Sequence, residues 1–177
     1  MRLRTERLIL RRPETEDLKN LLRLLSDPSF AATVPEIPRT DEEIREYLEV
    51  ERTVNKPEQD KCFNLLLERQ QDNCVVGLTT LVLRGHCQGE IGYALHRDYR
   101  SRGYASEAAR AFMDYAFTEL GLHRIYAETR ADNTASWRVM ERLGMRREAC
   151  FREMVREDGD WREVLVYAVL ADEWPSK

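Results

Sequence analysis

Arg100-Ser101-Arg102-Gly103-Tyr104-Ala105 is the stretch on which the fold turns, because it joins a strand pattern to a helix pattern. Before it, Glu90 to His96 alternates with period two: Ile91, Tyr93 and Leu95 share one face, and Gly92, Ala94 and His96 share the other. After it, Ala105, Ala108, Ala109, Phe112, Ala116, Phe117 and Leu120 recur at three- and four-residue steps, which predicts a helix over Tyr104 to Leu120 with one buried stripe. The first turn of a helix leaves amides without intrahelical acceptors, and its dipole favours negative charge there. Gly103 lets a ligand approach the backbone without a Cβ in the way. Arg100, Ser101, Arg102, Gly103, Tyr104 and Ala105 therefore read as a cradle for a diphosphate, with a tight turn carrying solvated arginines as the competing reading. Two other nucleotide motifs do not fit: no Lys-Ser/Thr follows the glycine, as a P-loop needs, and the three-glycine dinucleotide fingerprint is absent.

Working outward, Leu3 to Arg11 is predicted as a first strand, and Pro13 opens a helical pattern whose stripe is Leu18, Leu21, Leu22 and Leu25, ending near Asp27-Pro28. Thr40 with Glu43 three residues on forms a capping box for a second helix, Asp41 to about Lys56, with Ile44, Tyr47 and Leu48 facing inward. Between them, Phe30 to Arg39 carries Pro35 and Pro38 and is predicted as a loop, which either grips a substrate or merely connects two helices. Lys61 to Arg69 and Cys74 to Arg84 read as a hairpin around Gln70-Gln71-Asp72-Asn73, and Gly85 to Gly89 turns the chain into the Glu90 to His96 strand. A strand at Arg124 to Arg130, a short helix, and a pair at Glu148 to Arg156 and Trp161 to Leu170 complete the pattern. The prediction is an α/β fold in one domain over residues 1–177, a mixed and mostly antiparallel sheet of about seven strands with helices on both faces.

The net charge of −4, with 34% charged residues of both signs, gives no global basic field for nucleic acid. Met1-Arg2-Leu3-Arg4 lacks an apolar leader segment, and no run approaches the roughly 20 apolar residues of a membrane span, so the expectation is a soluble cytoplasmic protein, monomer or homodimer. Cys62, Cys74, Cys87 and Cys150 form no C-x-x-C pair, and the three histidines have no zinc-like spacing. The expectation is no metal and free thiols.

A second constellation follows the Arg124 to Arg130 strand: Asn133 and Ser136, then Leu143-Gly144-Met145. Together with Arg100 to Ala105 it resembles the GNAT N-acetyltransferases, whose motifs are Gln/Arg-x-x-Gly-x-Gly/Ala and, on the next helix, Asn-x-x-Ser/Ala before a Leu-Gly-Phe-like end. Thr5-Glu6-Arg7-Leu8-Ile9-Leu10-Arg11 and Asp158-Gly159-Asp160-Trp161 are similar to the ribosomal-protein N-terminal acetyltransferases of that family. The resemblance implies acetyl-CoA as co-substrate and a splay between the strands holding Glu90 to His96 and Arg124 to Arg130, into which pantetheine enters. It implies strand-like pairing of the pantetheine amides with Tyr93, Ala94 and Leu95, beside small residues Gly92 and Ala94 that leave room for the thioester. The tyrosine that many members place seven residues after the motif asparagine is replaced by Met140, which cannot donate a proton. Ser136 matches the serine of the ribosomal-protein type and is expected to protonate the departing thiolate, while Asn133 caps the helix and holds the cofactor. For a base, Glu90 and Glu128 are candidates in strands flanking the splay, with Glu153 a third; the position of the proposed late-strand base is Val155 here. The acceptor implied is a primary amine, either a protein N-terminus or a small molecule such as an antibiotic, polyamine or amino-acid derivative. A noncatalytic acyl-CoA-binding sensor is the rival from another class.

Overall fold

The opening segment forms two strands, not one. Arg2–Arg4 (β1) and Leu8–Arg11 (β2) pair antiparallel across a turn in which the Thr5 amide donates to the Leu8 carbonyl and the Thr5 hydroxyl accepts from the Leu8 amide, both at 2.9 Å. That fold-back gives the computed structural model eight strands where the sequence predicts seven. It describes residues 1–34, 37–53, 62–157 and 159–175.

The other strands are β3 (Cys62–Arg69), β4 (Cys74–Arg84), β5 (Gln88–Leu95), β6 (Arg124–Arg130), β7 (Arg146–Glu157) and β8 (Asp160–Leu170). They form one mixed sheet in the order β1-β2-β3-β4-β5-β6-β8-β7. Pairs β1–β2, β2–β3, β6–β8 and β7–β8 are antiparallel, and β5–β6 is parallel. The β5–β6 pairing covers Gln88↔Arg124, Gly89↔Ile125 and Glu90↔Tyr126 and stops there, although β5 runs to Leu95 and β6 to Arg130. The helices are α1 (Leu18–Leu25), α2 (Pro28–Ala31), α3 (Asp41–Thr53), α4 (Tyr104–Thr118) and α5 (Thr134–Arg142). Val54 to Lys56 of the predicted second helix, Lys61 of the predicted hairpin, Pro35 of the loop and Asp158 of the late motif lie outside the described residues.

Contacts divide the chain into two units, Met1–Leu81 with Gly92–Ala111, and Val82–Ile91 with Phe112 onward. In the first, Leu18, Leu21, Leu24, Phe30, Ile44 and Leu48 pack with Leu66, Val75, Leu78 and Ala94. Leu24, absent from the predicted stripe, is fully buried, and Leu22 and Leu25 are only partly so, because α1 is covered by both α2 and α3. The Thr40–Glu43 capping box forms as predicted, the Thr40 hydroxyl donating to Glu43 Oε2 at 2.8 Å and accepting from the Glu43 amide at 3.3 Å. The small residues of β4 and β5 serve close packing within the sheet. A Cβ on Gly77 would overlap the Ala94 carbonyl, and one on Gly92 would lie 2.6 Å from Thr80 Oγ1. Gly77 thus makes room for the β5 backbone, and Gly92 for the Thr80 side chain of β4.

In the second unit, Ile125, Ala127 and Thr129 of β6 are buried and alternate with Tyr126, Glu128 and Arg130, the period of a strand with one covered face. Trp174 packs on Phe117 at 5.6 Å between centroids, the rings tilted by 40°, and donates its indole N–H to Asp114 at 2.7 Å.

Candidate active site

In the first unit, β5 ends in a 3₁₀ turn at Arg97–Tyr99, and α4 begins at Tyr104. The intervening turn holds two residues at positive φ, Ser101 (60°) and Gly103 (82°). Glycine adopts this without strain, whereas Ser101 does so at a cost of about 1 kcal/mol or more, as is common where a loop is shaped for a ligand. The Glu107 amide closes the first helical bond, on the Gly103 carbonyl at 3.0 Å, so the amides of Gly103, Tyr104, Ala105 and Ser106 precede the ladder; among the described residues none of them pairs with a backbone carbonyl. Ser101, Arg102 and Gly103 are exposed and Tyr104 is buried. Amides left outside the ladder at an exposed helix start are the arrangement that favours an anion.

Arg100 does not point freely into solvent. Its Nε donates to the Leu95 carbonyl at 2.9 Å, and a terminal nitrogen donates to Ser29 Oγ at 2.8 Å and lies 3.5 Å from Asp27. Asp27, 1% exposed, also accepts from the Arg97 amide at 2.8 Å and from the Ser29 amide and hydroxyl at 3.0 and 2.6 Å. Burial opposes its ionisation, but the Ser29 and Arg97 donors and the charge of Arg100 outweigh it and bring its pKa down to about 2. The Leu95 carbonyl, one of the groups expected to pair with pantetheine, is thereby engaged by Arg100. Arg102 lies over the Tyr99 ring, 5.8 Å from its centroid, with Arg69 at 5.1 Å.

Sequence reading missed the residues that brace the turn from outside. Thr5 Oγ1 and the Arg7 amide donate to Glu107 Oε1 at 2.6 and 2.8 Å, and Arg7 Nε donates to Glu107 Oε2 at 2.7 Å. The remaining arm of Arg7 donates to the Arg102 carbonyl at 2.9 Å, and its guanidinium covers the Tyr104 ring at 4.7 Å. Burial works to raise the Glu107 carboxyl, but Thr5 and Arg7 outweigh it and hold it below the usual carboxylate range. The signal was present in Thr5-Glu6-Arg7, but a partner a hundred residues away lies beyond any periodicity.

In the second unit, Asn133 caps α5: its side chain accepts from the Ser136 amide at 3.2 Å. This joins the two predicted residues of the second motif and leaves the Ser136 side chain half-buried in the first turn of α5. Met140 is 1% exposed, so the position of the missing tyrosine is part of the core. Glu90 Oε2 accepts from Arg84 at 2.6 Å and from the Tyr126 hydroxyl at 3.2 Å, and burial together with the Glu90 charge pushes that hydroxyl up. Glu128 lies two residues from Tyr126 on the same exposed face of β6, opposite Val166 of β8. Glu153 is exposed at positive φ in an irregularity between Phe151 and Val155 of β7. A cavity of about 620 Å³ is lined by Trp137, Glu141, Glu163 and Tyr167 among others, and by none of the predicted site residues.

The family model of the acetyltransferase (GNAT) domain matches residues 7–146. The chain belongs to the GNAT acetyltransferases. This GNAT chain is 33% identical over 175 residues to the uncharacterized N-acetyltransferase YnaD of Bacillus subtilis, covering 98% of this chain and 99% of that one. The crystal structure of a GNAT-family acetyltransferase from Bacillus anthracis superposes with a TM-score of 0.82 at 34% identity, covering 98% of this chain and 100% of the other. Ribosomal-protein acetyltransferases are also relatives. The [ribosomal protein uS5]-alanine N-acetyltransferase of Escherichia coli is 27% identical over 84 residues, 48% of this chain and 43% of its own. The chain is therefore an acetyl-CoA-dependent N-acetyltransferase, and acetyl-CoA is its co-substrate. Among the described residues no helix is long and apolar enough to cross a membrane.

Proposed function

We propose that this acetyltransferase modifies an α-amino group, that of a protein N-terminus, with the diphosphate of acetyl-CoA held by the backbone at Gly103 and the thiolate protonated by Ser136. The observation that carries the acceptor is the engagement of Glu90, whose Oε2 is committed to Arg84 and Tyr126. Of the two other candidates, both exposed, Glu128 on β6 is the one we propose to relay the proton through water. A relay of this kind suits an α-amine, whose pKa of about 7.7–8.0 leaves an appreciable neutral fraction at pH 7, far better than a lysine-like amine near 10.4. The uS5-alanine acetyltransferase relative supports the same acceptor class.

In this reading the Tyr93 and Ala94 backbone groups pair with pantetheine, the Arg100 to Ala105 turn takes the diphosphate, and Asn133 orders the first turn of α5. The neutral amine attacks the thioester carbonyl; the tetrahedral adduct expels the thiolate, which takes a proton from Ser136; and the proton of the new ammonium leaves toward Glu128. The Ser136 hydroxyl regains its proton from solvent. Exposed residues Ala32 and Thr33 of the Phe30 to Arg39 loop are proposed to contact the acceptor, while Phe30, Val34 and Ile37 of the same loop are buried.

Measuring thiol release from acetyl-CoA against a panel of N-terminal peptides, polyamines and aminoglycosides tests this directly. N-terminal peptides are expected to turn over fastest, with kcat/KM rising to a plateau near pH 8. A preference for polyamines, with rates climbing toward pH 10, assigns a small-molecule acceptor instead; coenzyme binding without release for any amine identifies a sensor.

A further inference from the structure

We infer that Arg7 is a positioning residue that aims the Gly103 amide at the coenzyme diphosphate; this rests on the cradle proposed above. The peptide linking Arg102 to Gly103 is planar and trans, so its carbonyl and its N–H point in opposite directions. Arg7 holds that carbonyl at 2.9 Å, and the Gly103 N–H is consequently turned to the side away from Arg7. The next peptide is fixed from the helix side: the Gly103 carbonyl accepts from the Glu107 amide at 3.0 Å, which directs the Tyr104 N–H out of the N-terminal end of α4. Two consecutive amides are thus oriented by bonds their own carbonyls make, before any ligand arrives.

All three guanidinium nitrogens are engaged within the protein: Nε and one terminal nitrogen on Glu107 at 2.7 and 2.6 Å, and the other on the Arg102 carbonyl at 2.9 Å. Arg7 also neutralises Glu107, a carboxylate in the first turn of α4 that would otherwise repel an anion bound there. Glycine at 103 suits the device, since its φ of 82° strains any other residue and a Cβ there would press on an Arg7 terminal nitrogen at 3.3 Å. Thr5, whose hydroxyl donates to the same carboxylate at 2.6 Å, fixes the acidic end. A lysine in place of Arg7 keeps the charge but lacks the planar fork that reaches the carboxylate and the carbonyl from separate nitrogens.

The test compares acetyl-CoA with S-acetylpantetheine, which lacks the diphosphate, in the wild type, Arg7→Ala and Arg7→Lys. For the wild type, kcat/KM should favour acetyl-CoA strongly. Both variants should raise KM for acetyl-CoA by roughly tenfold or more, the worth of one charge-assisted hydrogen bond, with kcat nearly unchanged and S-acetylpantetheine used as before. Full rescue by Arg7→Lys overturns the inference, because charge alone is then sufficient. Equal losses with both thioesters, accompanied by a lower Tm, also overturn it by showing a purely structural role. A wild type that does not distinguish the two thioesters refutes the cradle itself, a separate failure from that of Arg7.

Discussion

Ser136 carries the most exposed chemical claim at the scale of single residues. If its hydroxyl protonates the departing thiolate, Ser136→Ala should lower kcat by about 10²-fold, at the low end of what a positioned acid contributes, while KM for acetyl-CoA stays within a factor of about two. A fall in KM-limited rate with kcat intact would assign Ser136 to binding. Glu128→Gln should slow transfer by roughly tenfold at pH 7 and by a similar factor above pH 8, because the proton it receives is released only from the ammonium formed on attack. Glu90→Gln should leave the pH profile unchanged, since that carboxylate belongs to Arg84 and Tyr126. Gly103 and Asn133 were legible in sequence because each needs a residue type at a fixed place, a positive φ and a side-chain cap, whereas Ser136 was singled out only through the family resemblance. Arg7 and Glu107 were not, because an ordinary exposed arginine and an ordinary first-turn acid acquire meaning only when the chain brings them within 2.6 Å.

Elements show the same division between local rules and distant contacts. β6 was read at its true bounds, Arg124–Arg130, because one buried face gives a clean alternation. Leu3 to Arg11 was read as one strand because the turn at Thr5 lacks glycine and proline and is made by the threonine itself, donating to and accepting from Leu8. The junction of α2 with the 3₁₀ turn at Arg97–Tyr99 depends on one buried carboxylate, Asp27. Its pKa of about 2 lies below the ordinary value of 3.8, so its contribution is fully present above pH 4 and is lost as the pH falls from about 4 toward 2. Asp27→Asn should therefore cost about 2 kcal/mol at pH 7, read by urea denaturation, and flatten stability across that acid window. An unchanged acid limb would mean that the Arg97, Ser29 and Arg100 contacts are not holding charge.

For the whole molecule, membership of the GNAT family fixes the activity as acetyl transfer from acetyl-CoA, and its anionic part is assigned to the turn between the end of β5 and the start of α4. Sequence order alone gave the fold class, since strand, cradle, helix, strand and capped helix follow one another at spacings that two short motifs preserve. The acceptor was less legible, because the loop proposed to meet it, with Ala32 and Thr33 exposed, obeys no periodicity. The central claim is that backbone amides at the start of α4 grip the coenzyme. It is tested most directly by titrating ¹⁵N-labelled protein with coenzyme A and following individual amide resonances. The Gly103 and Tyr104 amides are expected to show the largest shifts, saturating with the ligand, and Gly103→Glu should abolish binding while leaving the remaining spectrum folded. Saturable binding of coenzyme A that leaves the Gly103 and Tyr104 resonances where they were would contradict the claim.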